Sequence, residues 1–216
     1  MEATIVHVCR HGQVDNPDHV LYGRAEGYRL SELGDQMAQR LGEYFADVEV
    51  GHLRASPLQR AQETMKPIAA GHPDLEVVTD YRLIEAANAL EGHTFGRFNQ
   101  RLMLPKYWWH FRNPLRPSWG EPHTSIARRM RPAILDAAAS VRPGGRAVVV
   151  SHQLPIWIAR LDAEGRGFLH NPATRECRLA SVTSFSVIDG RIVAVSYDEP
   201  CADLYPKAKL IIRPGV

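Results

Sequence analysis

Gly145-Arg146-Ala147-Val148-Val149-Val150-Ser151-His152 decides the fold. Its central apolar run reads as a strand buried on both faces. Beyond it a helix is expected from about Pro155 to Ala163. Before it the spacing of Ile126, Met130, Ile134 and Ala138 predicts a helix over about 124–139. Downstream, Val182–Ile188 and Ile192–Ser196 flank Asp189-Gly190, a strong hairpin signal. Towards the amino end, Thr4-Ile5-Val6-His7-Val8-Cys9 is a second buried strand. Ser31 then caps a helix on which Leu33, Met37, Leu41 and Tyr44 recur at helical spacing. Val50 to Ser56 reads as a strand. Pro57 suits the first turn of a helix running through Arg60 and Thr64 towards Ala70. Glu76-Val77-Val78, with the segment to Ile84, reads as one more strand.

Strands alternating with helices imply an α/β fold: a three-layer α/β/α sandwich whose open sheet is mostly parallel, with a C-terminal antiparallel hairpin. No repeat, linker or low-complexity tract divides the chain, so a single domain over 1–216 is expected. Residues 92–122, with Trp108, Trp109, Trp119 and several prolines, read as an irregular lid-like insertion. Within it Trp108, Trp109, Phe111 and Trp119 suit either a local apolar cluster or a specificity cover, and Arg112 and Arg116 could meet an anionic substrate tail.

The bulk properties exclude several classes of protein. At 216 residues, 44% hydrophobic and 23% charged, the chain can bury a sizeable core and has neither a disordered nor a fibrous composition. A net charge of +2 is too small to imply nucleic acid as a partner. No apolar run suits a membrane span, and the start Met1-Glu2-Ala3-Thr4-Ile5 lacks a signal pattern, so a soluble cytoplasmic protein is expected. Cys9, Cys177 and Cys201 form neither a disulfide framework nor a zinc pattern, and they suit a reducing compartment.

In an open α/β sheet, sites form outside the carboxyl ends of the strands. The residues just beyond each expected strand are Arg10-His11-Gly12, Ser56 to Arg60, Glu85 and Ser151-His152. Taken singly, each side chain has an ordinary structural role: Arg60 as a solvated mid-helix residue, His152 as a hydrogen-bonded strand end. Together they suit a phosphomonoester. Arg10 and Arg60 offer forked donors to phosphoryl oxygens, and protonated His152 would add a third cation. Neutral His11 can attack phosphorus if its other ring nitrogen donates to a carbonyl. Glu85 must enter as the neutral acid, which burial favours and the arginines oppose. Other phosphatase chemistries fit worse. No cysteine is followed by Arg at the spacing of a cysteine phosphatase, and neither an Asp-x-Asp pair nor a Gly-x4-Gly-Lys loop is present. His7 and His11 lie four apart on a strand, which does not make a paired metal site.

These residues resemble the histidine phosphatase superfamily, in its phosphoglycerate-mutase-like branch. Val8-Cys9-Arg10-His11-Gly12-Gln13 resembles its opening R-H-G-[EQ] motif. Gly23 to Gly34 is similar to its second stretch, which ends in L-[ST]-x-x-G. Ala55 to Thr64 is similar to S-x-L-x-R-A-x-x-T, Leu83-Ile84-Glu85 with Glu91-Gly92 to L-x-E…E-G, and Ser151-His152 to its late [SA]-H motif. Gly120-Glu121-Pro122-His123 resembles the family's Gly-Glu turn. The chain departs from the pattern at Val14 and Pro17, with Asn16 one position early, in the spacer Asp18 to Tyr22, and in the extra residues Ala86 to Leu90.

The resemblance implies a phosphohistidine at His11, with Glu85 as general acid and Glu91 as the lesser candidate for that role. Arg10, Arg60 and His152 would complete the phosphate pocket. Asn16, Gly23, Arg24 and Glu91 become substrate-binding positions. Neither metal nor organic cofactor is implied. The implied partner is a small phosphorylated substrate, with a homodimer common in the family. Three activities remain open: a phosphatase, a mutase that returns the phosphoryl group to a second hydroxyl, and a phospho-ligand binding module without turnover.

Overall fold

A computed structural model describes residues 2–89, 91–93 and 120–207. Most of the expected lid, with Trp108, Trp109, Phe111, Arg112, Arg116 and Trp119, lies outside the described residues. The strands are β1 (Thr4–Arg10), β2 (Val50–Ala55), β3 (Val77–Thr79), β4 (Arg146–Ser151), β5 (Val182–Ile188) and β6 (Arg191–Asp198). The helices are α1 (Glu32–Phe45), α2 (Gln59–Ala70), α3 (His123–Ala139) and α4 (Gln153–Ala163). The sheet order is β3-β2-β4-β1-β5-β6. β3, β2, β4 and β1 run parallel, while β5 is antiparallel to both β1 and β6. The fold is thus α/β with a mostly parallel sheet and a closing antiparallel hairpin.

Alternation along the strands builds two cores. Val6, Val8, Ala147, Val149 and Phe185 point to one face and pack with α3 and α4. Cys9, Leu53, Val148, Val150 and Val182 point to the other and pack with α1 and α2. Ile126, Met130 and Ile134 of α3 are fully buried. Each contributes about 1.5–3 kcal/mol of transfer free energy. Ser31 caps α1 by accepting from the Gly34 N–H at 3.1 Å. Asp189 and Gly190 both hold positive φ, 49° and 70°, as a tight hairpin turn requires. No helix among the described residues is long and apolar enough to cross a membrane.

Three local expectations change. The strand expected from Glu76 to Ile84 is only Val77–Thr79. Asp80 stops it by accepting the Arg82 N–H at 2.9 Å, which opens a single 3-10 turn over Tyr81–Leu83. α2 begins at Gln59 with Leu58 as N-cap, so Pro57 precedes the helix and Arg60 lies in the first turn, not mid-helix. On α1 the buried stripe runs through Gly34, Met37, Ala38, Leu41 and Phe45. Tyr44 lies outside it, and its hydroxyl donates to Asp198 at 2.7 Å.

Register positions the site. Arg10 lies opposite Ser151, and Val150 opposite Ala55. His11, His152 and Ser56 therefore leave three adjacent parallel strands at one rim, with His152 in the middle because β4 is central.

Candidate active site

His11 is buried at the end of β1. Its Nδ1 lies 2.7 Å from the Gly12 carbonyl oxygen, which can only accept. The ring proton is therefore on Nδ1, and Nε2 keeps its lone pair. Burial first, then Arg60 and Arg10, hold this imidazole well below its ordinary pKa, so it is neutral. The loop that supplies the Gly12 carbonyl is stapled to α2: the Gly12 N–H donates to Thr64 Oγ1 at 3.1 Å, and the Thr64 hydroxyl donates to the Arg60 carbonyl at 2.7 Å.

His152 sits beside it, ring centroids 5.1 Å apart. Its Nε2 is 2.7 Å from Ser56 Oγ, and that oxygen already accepts the Leu58 N–H at 3.4 Å. Ser56 Oγ keeps a second lone pair, so both tautomers fit this contact; when the hydroxyl proton goes to Nε2, the His152 ring proton is on Nδ1. Protonation of His152, the condition for a third cation, is disfavoured here. Burial first, then Arg60 and His11, hold His152 neutral as well, so it offers an N–H dipole and no full charge.

The two guanidiniums rest on backbone carbonyls. Arg60 Nη2 donates to Gly23 O at 2.6 Å, and Arg10 Nη1 to Cys177 O at 2.9 Å. Arg60 also lies over the Tyr22 ring, 4.7 Å from its centroid. Neither arginine meets a carboxylate among the described residues. Arg10 Nε, Arg60 Nε and His152 Nδ1 are buried without a hydrogen-bond partner among the described residues.

Glu85 reaches the rim through the 3-10 turn and not directly from a strand end. The Ser151 hydroxyl donates to Leu83 O at 2.7 Å, and Arg24 Nε donates to Glu85 O at 2.7 Å. Its carboxylate accepts the Ala86 N–H at 2.8 Å. Burial pushes the Glu85 carboxyl above the usual range, against the pull of that N–H and of Arg60 and Arg10.

The secondary candidates divide. Asn16 closes its own loop: Oδ1 accepts the Val20 N–H at 3.0 Å and Nδ2 donates to Val20 O at 2.9 Å. These bonds use one amide N–H and one lone pair of its carbonyl oxygen, which ties the side chain to its own loop. Arg24 donates from Nε to Glu85 O and from Nη2 to Glu121 Oε2 at 2.9 Å. Glu121 in turn grips Arg129 through both carboxylate oxygens, at 2.9 and 3.0 Å. Gly23 carries the carbonyl that holds Arg60, with φ at 41°. A Cβ there would lie 2.6 Å from Glu91 Oε2, which places Glu91 beside the site. Tyr22 and Arg175 are the neighbours that sequence reasoning missed, while Ser56 was placed at the rim without a role. The signal available for Tyr22 was an aromatic residue amid a Gly, Asn and Asp loop. Among the described residues, no group of three or more His, Cys, Asp or Glu is placed to hold a metal ion.

Comparison with known proteins gives the family and the fold. Residues 6–200 match the model of the histidine phosphatase superfamily, branch 1. An uncharacterized protein of Mycobacterium tuberculosis, Rv0525, is 49% identical over 202 residues, covering 93% of this chain and 98% of that protein. The probable phosphoglycerate mutase GpmB of Erwinia tasmaniensis is 30% identical over 163 residues, 71% of each chain. The structure of Bacillus stearothermophilus YhfR superposes with a TM-score of 0.72 at 24% identity, covering 89% of this chain and 95% of that one. The chain belongs to the histidine phosphatase superfamily, branch 1.

Proposed function

We propose that this protein is a phosphomonoesterase that acts through a phosphohistidine at His11 on a small phosphorylated metabolite, without a metal or organic cofactor. One observation carries the reading. A neutral imidazole with its Nε2 lone pair free sits among three buried nitrogens, Arg10 Nε, Arg60 Nε and His152 Nδ1, that have no partner among the described residues. Buried donors without acceptors are costly, and a tetrahedral anion supplies the acceptors.

His11 Nε2 attacks phosphorus in line with the ester oxygen. The P–O bond to the leaving group breaks, and the Glu85 carboxyl gives its proton to the departing oxygen. Arg10, Arg60 and the His152 Nδ1–H stabilise the equatorial oxygens. Water then attacks the phosphorus and passes a proton to the Glu85 carboxylate. The P–N bond breaks, and His11 and the protonated Glu85 are restored with release of inorganic phosphate. The raised pKa of Glu85 and the lowered pKa of His11 both favour the starting states this sequence needs.

The similarity to a probable phosphoglycerate mutase favours a second reading, in which the phosphoryl group returns to another hydroxyl of the substrate. The test is release of inorganic phosphate from p-nitrophenyl phosphate in the presence of a chelator, alongside isomerisation of 3-phosphoglycerate. Phosphate release is expected to dominate. His11→Ala should lower turnover by roughly three orders of magnitude or more and abolish an acid-labile phosphoenzyme. A His11→Ala protein with undiminished turnover refutes the assignment, and isomerisation outrunning hydrolysis selects the mutase.

A further inference from the structure

Arg175 stands out once the arginines are sorted by their partners. Among the described residues, those that reach no carboxylate are exposed, with three exceptions: Arg10, Arg60 and Arg175. The first two flank His11. The third is partly buried, at the end of the short 3-10 turn Pro172–Thr174.

Hydrogen bonds tie Arg175 to the same rim. Arg10 Nη1 and Gln153 Nε2 converge on the Cys177 carbonyl, at 2.9 and 3.4 Å. Gln153, the residue after His152, faces Arg175 Nη1 with its Oε1 at 3.5 Å. On the far side, Arg175 Nε donates to His170 Nε2 at 2.9 Å. His170 can accept because its Nδ1 donates to Phe168 O at 2.7 Å. Burial holds His170 below its ordinary pKa, so the ring is neutral. Arg175 Nη2 donates to nothing among the described residues.

Every group that grips this guanidinium is therefore neutral. The nearby charges are Glu85, which attracts it, and Arg10, which repels it. Glu85 is the group that enters the proposed reaction protonated, and in that state it offers Arg175 no counter-charge. A cation held in place, largely desolvated and unneutralised beside a phosphate pocket is costly unless an anion completes it. The phosphoryl group already takes Arg10 and Arg60, so the anion for Arg175 must come from another part of the substrate.

We propose that Arg175 is a specificity residue that binds a second anionic group, a carboxylate or a phosphate, so that the preferred substrates are small phosphomonoesters with two anionic ends. This rests on the phosphomonoesterase reading. Gln153 and His170 are its positioning residues: they aim the guanidinium without cancelling its charge.

Three probes of nearly equal length test it: glycerol 3-phosphate, with one anion; 3-phosphoglycerate, with a carboxylate in place of the hydroxymethyl group; and propane-1,3-diol bisphosphate. The wild-type protein should favour at least one two-anion probe over glycerol 3-phosphate by about tenfold or more in kcat/KM. Arg175→Gln should raise KM for that probe about tenfold, with kcat within about twofold and glycerol 3-phosphate turnover within about twofold. Arg175→Lys should recover most of the preference, and the probe whose KM moves identifies the second anion. Equal effects of Arg175→Gln on all three probes, or no effect, overturn the proposal. So does a wild-type protein without preference, whatever the variants do.

A binding measurement separates this outcome from failure of the underlying reading. Calorimetric titration of the three probes into His11→Ala, with and without Arg175→Gln, requires no turnover. If the wild-type protein hydrolyses neither p-nitrophenyl phosphate nor any of the probes, the phosphomonoesterase reading fails. Arg175 is then still judged by whether the two-anion probes bind His11→Ala about tenfold more tightly and lose that margin in the double variant.

Discussion

Replacing Gly34 by alanine sets two physical effects of opposite sign against each other. Gly34 lies in the first turn of α1, where alanine is favoured over glycine by about 0.8–1 kcal/mol in an ordinary helix. Propensity alone therefore predicts a stabilised protein. The structure predicts the reverse. A Cβ on Gly34 would lie 2.0 Å from the Gln13 carbonyl oxygen and 2.9 Å from its carbon, both backbone atoms. A close carbon–oxygen approach is about 3.3 Å, so the two backbones must part by more than about 1 Å. The contact is reciprocal, since a Cβ on Gly12 would lie 2.6 Å from Gly34 O. The Gln13 carbonyl also accepts the Ser31 N–H at 2.9 Å, so parting weakens the entry to the helix. Overpacking costs about 1–3 kcal/mol and a lost hydrogen bond about 0.5–1.5. Against the propensity gain, the net loss is about 1–3 kcal/mol, or about 2–12 °C in Tm for a chain of this size. The same displacement moves the peptide whose Gly12 oxygen orients His11, so kcat should fall about tenfold or more. Thermal unfolding and steady-state kinetics on Gly34→Ala would measure both effects. Gly167→Ala is the control, because a methyl group there would meet nothing within 4 Å and its stability should stay within about 0.5 kcal/mol. A Gly34→Ala protein as stable and as active as its parent would refute the reasoning.

The pH dependence of kcat/KM should be bell-shaped. Its acid limb is displaced below the ordinary histidine value of 6.5, because His11 stays neutral there, and its alkaline limb is displaced above the ordinary glutamate value of 4.5, because Glu85 stays protonated there. Glu85→Gln should remove the alkaline limb and slow an alkyl phosphate by about a hundredfold, with a smaller effect on p-nitrophenyl phosphate; an alkaline limb that survives would assign that ionisation elsewhere. Ser56→Ala leaves the buried His152 Nε2 without its 2.7 Å partner, which should cost about 1–3 kcal/mol in urea unfolding and raise KM for phosphate esters. Unchanged stability together with unchanged KM would contradict a supporting role for the His152–Ser56 hydrogen bond.

Legibility in the sequence followed the regularity of the backbone. Arg10, His11 and His152 were readable because each lies at the end of an apolar run, and parallel register then brings the ends of β1, β2 and β4 to one rim. Ile126, Met130 and Ile134 were readable from a period that only a one-sided helix sustains. Loops carried no such constraint. Asn16 and Arg24 look like ligand-binding side chains, yet their nearest acceptors and donors are the chain's own: Val20 for one, Glu85 O and Glu121 for the other. Arg175 was invisible for the converse reason. It lies in a stretch without hydrophobic period, and tertiary contacts, the Cys177 carbonyl shared by Arg10 and Gln153 and the bond from Arg175 to Gln153, show that this stretch returns to the site. The short β3 was overread because Val77 and Val78 suggest a strand, whereas the Asp80 side chain, by capping the next turn, decides where it stops.

The chain uses its arginines in two ways, and the difference lies in the acceptor. In the frame, guanidiniums end on carboxylates: Arg129 and Arg24 on Glu121, Arg54 and Arg82 on Asp80. In these clusters the carboxylate offsets part of the charge: Arg24 fixes the backbone of Glu85, while Arg129, paired with Glu121, still draws the Glu85 carboxyl down. At the rim the acceptors are carbonyls and neutral side chains: Gly23 O for Arg60, Cys177 O for Arg10, His170 and Gln153 for Arg175. A carbonyl dipole orients a guanidinium nearly as well as a carboxylate does, but it leaves the positive charge uncancelled. The cost is visible in the site itself, where Arg10 and Arg60 each help hold His11 neutral and Arg10 opposes both Arg60 and Arg175. Glu85 attracts Arg60 and Arg175, and Glu91 attracts Arg60, without a hydrogen-bonded ion pair; a carboxylate bonded directly to any of these guanidiniums would leave less to bind the substrate. On the proposed reading, neutral acceptors suit the rim to receive anions, and the same acceptor pattern around Arg175 is what groups that residue with Arg10 and Arg60 and not with the frame.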